Sequence, residues 1–206
     1  MDALKKLIIL AFVMLMPWLN ISAQDSKTAA AFRKSYIHET AGEYAKAVES
    51  LKQVYDENNY YVNLRLGWLN YMGGAFTESA AFYQKAIRLM PLSIEARLGL
   101  VLPLSALGNW EQVIAQYSEI LKYDPGNSTA NYRLGAIYYN RSEYQKAYKH
   151  LETVVNHYPF DYDALILFAW NNLKMGKLQE AKVLFNNALL YKPDDESAKE
   201  GLGLIK

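Results

Sequence analysis

The sequence predicts an all-α chain assembled from repeated helix hairpins, and three observations carry that expectation. Pro91, Pro125, Pro159 and Pro193 stand 34 residues apart, and with six prolines in 206 positions each successive coincidence has a chance of roughly 3%. Two further columns keep the same phase: Gly74, Gly108, Ser142 and Gly176 lie 17 residues before those prolines, and Tyr83, Tyr117, Leu151 and Phe185 lie eight before them. Between the markers apolar residues recur at spacings of three and four, which line up one face of a helix, and not at the alternation of a strand. A 34-residue period built this way is two helices per repeat.

Residues 1–23 read as a secretory signal and stand apart from the repeats. Lys5 and Lys6 give a basic start, Leu7 to Met16 is a run of ten apolar residues, and Ala23 is a small residue before a polar stretch. The run is short of the ~20 residues that span a bilayer. Removing 23 of the 206 residues leaves 183, with 20 basic and 20 acidic side chains, working outside the cytoplasm in a periplasm or at a cell surface. The alternative is an uncleaved N-terminal anchor, because Ile21 is larger than the residue usual two places before a cut.

After a short lead, 24–27, the repeats are placed at 28–59, 60–93, 94–127, 128–161 and 162–195. The first is two residues short and ends in Asn58-Asn59 where a proline would stand, yet keeps Gly42-Glu43-Tyr44, Ala47 and Leu51. Gly42, Gly74, Gly108 and Gly176 are expected to end the first helix of each pair in a left-handed conformation, which glycine adopts without penalty. The prolines end the second helix, since proline lacks the donor and clashes with the preceding turn. Gly67 and Gly135 sit inside helices at a cost of ~1 kcal/mol each, which close approach of Ala47, Ser79, Ala147 or Ala181 is expected to offset. Repeat 94–127 departs from the pattern, with Val101 in the glycine column, Val113 in the alanine column and Pro103 mid-helix, so looser packing is expected there. Residues 196–206 begin a sixth first helix and stop, as a capping helix would.

Composition excludes several classes. Apolar residues make up 51% and charged residues 21%, enough for a core and unlike a disordered chain. Lys plus Arg number 22 against 21 Asp plus Glu, which argues against a nucleic-acid backbone or an anionic membrane as partner. There is no cysteine, so disulfides, thiolate metal sites and cysteine nucleophiles are absent. His38-Glu39 opens like a zinc-protease motif, but Gly42 stands where the second histidine belongs. His150 and His157 are two helical turns apart, ~10 Å, too far to share a metal. Asp161, Asp163 and the run Asp194 to Glu196 fall at helix starts, where carboxylates cap free donors. No catalytic residue, cofactor or metal site is assigned.

The segment from Ser128 to Asp161, with Leu134-Gly135-Ala136-Ile137-Tyr138, then Ala147 and Leu151, then Pro159, resembles the tetratricopeptide repeat pattern W-x2-L-G-x2-Y, A-x3-F, P. The resemblance covers about 170 residues and implies a right-handed α-solenoid of about five hairpins plus a C-terminal capping helix. It also implies a concave groove lined by the second, fifth, ninth, twelfth and thirteenth residues of each repeat. In this sequence that face holds Phe32, Tyr36, Tyr61, Leu64, Trp68 and Tyr71, then Tyr132 and Tyr139, then Ile166, Trp170 and Lys174. Met72, Leu98, Leu102, Asn140 and Leu173 continue it. The Lys and Asn positions with which several family members hold a C-terminal carboxylate are apolar or aromatic here, which argues against such a clamp.

The function implied is a non-enzymatic scaffold of the bacterial cell envelope, binding a protein partner as an extended peptide or helix in an aromatic groove. The alternative is a carbohydrate or cell-wall binding module that stacks sugar rings on Trp and Tyr. No nucleic-acid partner and no membrane span after signal removal are expected.

Overall fold

A computed structural model describes residues 26–205, and the leader assigned to 1–23 lies outside them. The chain divides into two compact units, one running to Asn109 and the other starting at Trp110. The first holds α1 (26–40), α2 (Tyr44–Lys52), α3 (Tyr60–Met72), α4 (Phe76–Leu89) and α5 (Ile94–Ala106). The second holds α6 (Trp110–Tyr123), α7 (Ser128–Asn140), α8 (Tyr144–His157), α9 (Tyr162–Lys174), α10 (Leu178–Tyr191) and α11 (Glu196–Gly203). The described residues are all helix and turn, without a strand. Within the units α3 packs on α4, α4 on α5, α7 on α8, α8 on α9 and α9 on α10, each helix against its sequence neighbour.

Two kinds of helix start alternate. Before α3, α5, α7, α9 and α11 stand Asn59, Ser93, Asn127, Asp161 and Asp195, again 34 residues apart. Each side chain accepts the backbone N–H three residues on, at 2.8–3.1 Å. These residues satisfy donors that the first turn would leave free. Before α2, α4, α6, α8 and α10 the chain turns through a left-handed residue instead. Gly42, Gly74, Gly108 and Gly176 have φ of +73° to +78°. The residue after each donates to a carbonyl five back, as Ala75 N to Asn70 O (2.8 Å) and Lys177 N to Asn172 O (2.9 Å).

Ser142 occupies the same column with φ +58°, a conformation strained for a residue with a Cβ. Ser142→Gly is therefore expected to raise stability by about 0.5–1 kcal/mol, read as a higher melting temperature.

The second helices end where expected, with Pro91, Pro125, Pro159 and Pro193 each two residues past the last helical position. Pro103 lies inside α5, which continues to Ala106 with the proline buried. The boundary between the units falls within repeat 94–127, the one whose small-residue columns hold Val101 and Val113.

The interior glycines require one correction. Ser79 does approach Gly67, its Oγ donating to the Gly67 carbonyl at 2.7 Å. The space a Cβ would need, however, is filled by the large residue eight before the proline. A Cβ on Gly67 would meet the Tyr83 ring at 2.9 Å, and one on Gly135 would meet Leu151 at 2.7 Å. The same ring excludes a side chain from the next first helix: a Cβ on Gly99 would stand 2.2 Å from Tyr83, and one on Gly201 2.1 Å from Phe185. Each pair, Tyr83 with Gly99 and Phe185 with Gly201, is 16 residues apart. A buried aromatic on a second helix thus presses onto a glycine of the following helix.

Candidate functional site

The sequence face divides into two sets, one on each unit. On the first, α1 and α3 supply the residues. Val62, Leu66 and Leu69 of α3 are completely buried with Ala47 and Leu51, and this core fixes which side of α3 remains outward. Tyr61 is 68% exposed and Tyr36 53%, whereas Phe32, Leu64, Trp68 and Tyr71 are half-buried. Phe32 and Trp68 lean on the core with one side and leave the other open.

A polar network that sequence reasoning missed joins these rings. Trp68 Nε1–H donates to Glu39 Oε1, Arg65 Nη2 donates to Glu39 Oε2, both at 2.5 Å, and Arg65 Nε donates to Ser35 Oγ at 3.3 Å. The Arg65 guanidinium also lies over the Tyr36 ring, 3.9 Å from its centre. Trp68 in turn meets Tyr71, and Tyr71 meets Phe76 of α4, at ring separations of 6.1 and 5.8 Å. Glu39 and Arg65 neutralise each other, so the chain of rings runs across α1, α3 and α4 around a compensated ion pair. The one available signal was a charged residue, Arg65, among the buried positions of α3.

Burial works to raise the Glu39 pKa, but the hydrogen bonds from Arg65 and Trp68 and the Arg65 charge outweigh it, and the carboxyl is held below its usual value. A carboxyl with a depressed folded pKa contributes stability above the unfolded value, near 4.3, and that contribution is lost as pH falls through the folded pKa. Melting temperature measured from pH 7 down to 3 is expected to fall less steeply in Glu39→Gln than in the wild type, with the difference confined to the acid end.

On the second unit, Tyr132 and Tyr139 of α7 and Ile166 and Trp170 of α9 are half-buried against one core, while Lys174 is exposed at the end of α9. Tyr139 stands edge-on to Tyr144, and Trp170 edge-on to the buried Phe185 at 5.3 Å. Trp170 Nε1–H donates to Ser197 Oγ of α11 at 2.9 Å. Tyr162 donates its hydroxyl to Asp195, the cap of α11, and Lys192 lies over the Tyr162 ring. Burial and the Asp195 carboxylate push the Tyr162 phenol up to about 12. Its counterpart on the first unit is Tyr60, whose hydroxyl meets Ser93 Oγ, the cap of α5, at 2.7 Å.

None of the eleven assigned residues is fully buried. They offer partly open aromatic area suited to apolar contact. The histidines are engaged locally: His38 with Glu43 at 2.7 Å, His150 with Asn131 at 2.9 Å, and His157 with the Thr153 carbonyl at 2.8 Å. Among the described residues no three His, Asp or Glu side chains converge as a metal site would require.

A family model described as tetratricopeptide repeat matches residues 26–93, across α1 to α4. The chain is a tetratricopeptide repeat protein. A second model, described as anaphase-promoting complex, cyclosome, subunit 3, matches residues 107–188 of the same repeat array. The TPR repeat-containing protein YpiA of Bacillus subtilis is 27% identical over 177 residues, which are 85% of this chain and 42% of that protein. The TPR repeat-containing thioredoxin TTL4 of Arabidopsis thaliana is 27% identical over 115 residues, 56% of this chain and 16% of its own length. The tetratricopeptide chain thus spans less than half the length of the curated relatives it matches, and without a cysteine it carries no thioredoxin dithiol.

Among solved structures, a tetratricopeptide repeat protein from Parabacteroides merdae superposes with a TM-score of 0.73 at 22% identity, covering 85% of this chain and 71% of that one. The MamA protein gives 0.71 at 22% identity, covering 88% and 100%. These likenesses are of fold. Among the described residues no helix is long and apolar enough to cross a membrane.

Proposed function

We propose that this tetratricopeptide protein is a non-enzymatic scaffold of the bacterial cell envelope that holds a protein partner, as an extended peptide or a helix, against the aromatic faces of its first helices. Tetratricopeptide proteins bind protein partners, and the observation that carries the finer reading is that all eleven face residues are half-buried or exposed beside neighbours of zero exposure on the same helices. Large rings already held on one side lose little freedom when a partner covers the other. Export rests on the basic start, apolar run and Ala23 of the N-terminal segment.

A photo-crosslinking residue at Tyr61, Tyr132 or Lys174 in intact cells is expected to capture one discrete protein, whereas the same residue at Gln84 or Lys182, on second helices, is not. Tyr61→Ala should reduce capture with little change in melting temperature, because Tyr61 is the most exposed aromatic of the set and stands outside the Glu39 network. Equal capture from both faces, or retention on purified cell wall in place of a protein, would sink the reading. Mass spectrometry of envelope fractions decides export, and an intact Met1 in the soluble cytosol would overturn it.

A further inference from the structure

The turns that join the repeats of the second unit carry exposed rings outside the eleven residues of the first-helix faces. Tyr123 is the last residue of α6, Tyr158 and Phe160 flank Pro159, and Leu190 and Tyr191 precede Pro193. All are about half exposed or more, with Leu190 at 73%. The turns adjoin one another: His157 Nε2 lies 3.7 Å from where a Gly126 Cβ would stand, and the Phe160 and Tyr191 rings are 5.1 Å apart. Tyr162 adds a ring 5.7 Å from Tyr191.

The same turns are acidic. Residues 123–127, 157–163 and 191–196 carry Asp124, Asp161, Asp163, Asp194, Asp195 and Glu196 against Lys192 alone, with Lys199 one helical turn further on bridging Asp194 and Glu196. The side chains of Asp194 and Glu196 are almost entirely in solvent. An apolar ladder this exposed marks an interaction surface. Its charge selects the occupant: a second copy would set like charges edge to edge, and an anionic bilayer would be repelled. The rings of this unit already take cations, with Lys192 Nζ 3.5 Å from the centre of Tyr162 and Lys177 Nζ 3.7 Å from that of Tyr148.

We propose that the turn edge formed by Tyr158, Phe160, Leu190 and Tyr191, rimmed by Asp163, Asp194 and Glu196, docks a basic segment of a protein partner, one that presents lysine or arginine beside apolar side chains. The apolar side chains cover the ladder. The cations meet the carboxylates and the free ring faces.

The test uses the full chain and three fluorescein-labelled peptides in which arginine, glutamine or glutamate alternates with leucine between glycine spacers. Fluorescence anisotropy is expected to show binding of the arginine peptide alone, weakened about tenfold between low and high salt. Phe160→Ser with Tyr191→Ser should weaken it about tenfold or more at an unchanged helical content, and Asp163→Asn with Asp194→Asn about threefold. If the serine pair unfolds the protein, the asparagine pair decides. Tyr61→Ala, on the first-helix face, should leave this binding unchanged. Equal affinity for the glutamine peptide, no binding, insensitivity to the turn variants or loss in Tyr61→Ala would each overturn the proposal. So would a hexasaccharide of N-acetylglucosamine that binds in place of the peptide and is lost in the serine pair.

Discussion

Phe185→Ala is expected to lower stability by about 3–5 kcal/mol, the cost of emptying a fully buried aromatic site. The Phe185 ring is completely buried, edge-on to Trp170 of α9, and fills the space above Gly201 of α11. Its removal opens a void where α9, α10 and α11 meet, and the helices cannot collapse into it while Trp170 remains tied to Ser197. Urea unfolding measures the loss. Hydrogen exchange locates it, since α11 should lose protection before α7 and α8. Gly201→Ala probes the same contact from the other side: a methyl 2.1 Å from Phe185 Cζ forces the ring or the helix to move, at about 1–3 kcal/mol. A Phe185→Ala protein as stable as the wild type would show that α11 is not held through this ring.

The second large effect is at Gly135, where leucine is expected to cost about 2–4 kcal/mol. Even a Cβ there would lie 2.7 Å from two carbon atoms of Leu151, a fully buried side chain on the neighbouring helix α8. The mechanism is specific enough to separate from general intolerance. In a cycle of Gly135→Ala and Leu151→Ala, the second substitution should relieve part of the first, giving a coupling of about 0.5–3 kcal/mol. Strict additivity in chemical denaturation would contradict the contact.

The hairpin pattern was legible because prolines and glycines mark backbone events that are local. Pro159 ends α8 and Gly176 takes φ +76° whatever packs against them. The capping column was only half read. Asp161 and Asp195 were recognised by their charge, while Asn59, Ser93 and Asn127 do the same task 34 residues apart without one. What fills the space beside the interior glycines is not legible from the column of small residues, although Ser79 does reach the Gly67 carbonyl. Spatially the contact is with Tyr83 and Leu151, one helical turn further along the partner helix.

The faces were legible as positions and not as environments. Helix α3 is apolar around most of its circumference, so periodicity alone could not separate Trp68, half open, from Leu66, which is closed. The Glu39, Arg65 and Trp68 network joins residues 26 to 29 apart on two helices, and no local rule announces it. The exposed rings beside Pro159 and Pro193 were visible in the sequence but were absorbed into turns.

The 16-residue pairing of Tyr83 with Gly99 and of Phe185 with Gly201 bears on how such a chain can be rebuilt. A hairpin excised from its first helix to its closing proline leaves the aromatic in one piece and its glycine in the next. Grafting it onto a foreign neighbour would drive a ring into a side chain. The transplantable cassette is offset by half a period, cut within a first helix so that a second helix travels with the start of the one that follows. For those designing longer or hybrid arrays from this protein, the seam belongs inside a helix and not at the turn where the eye would put it.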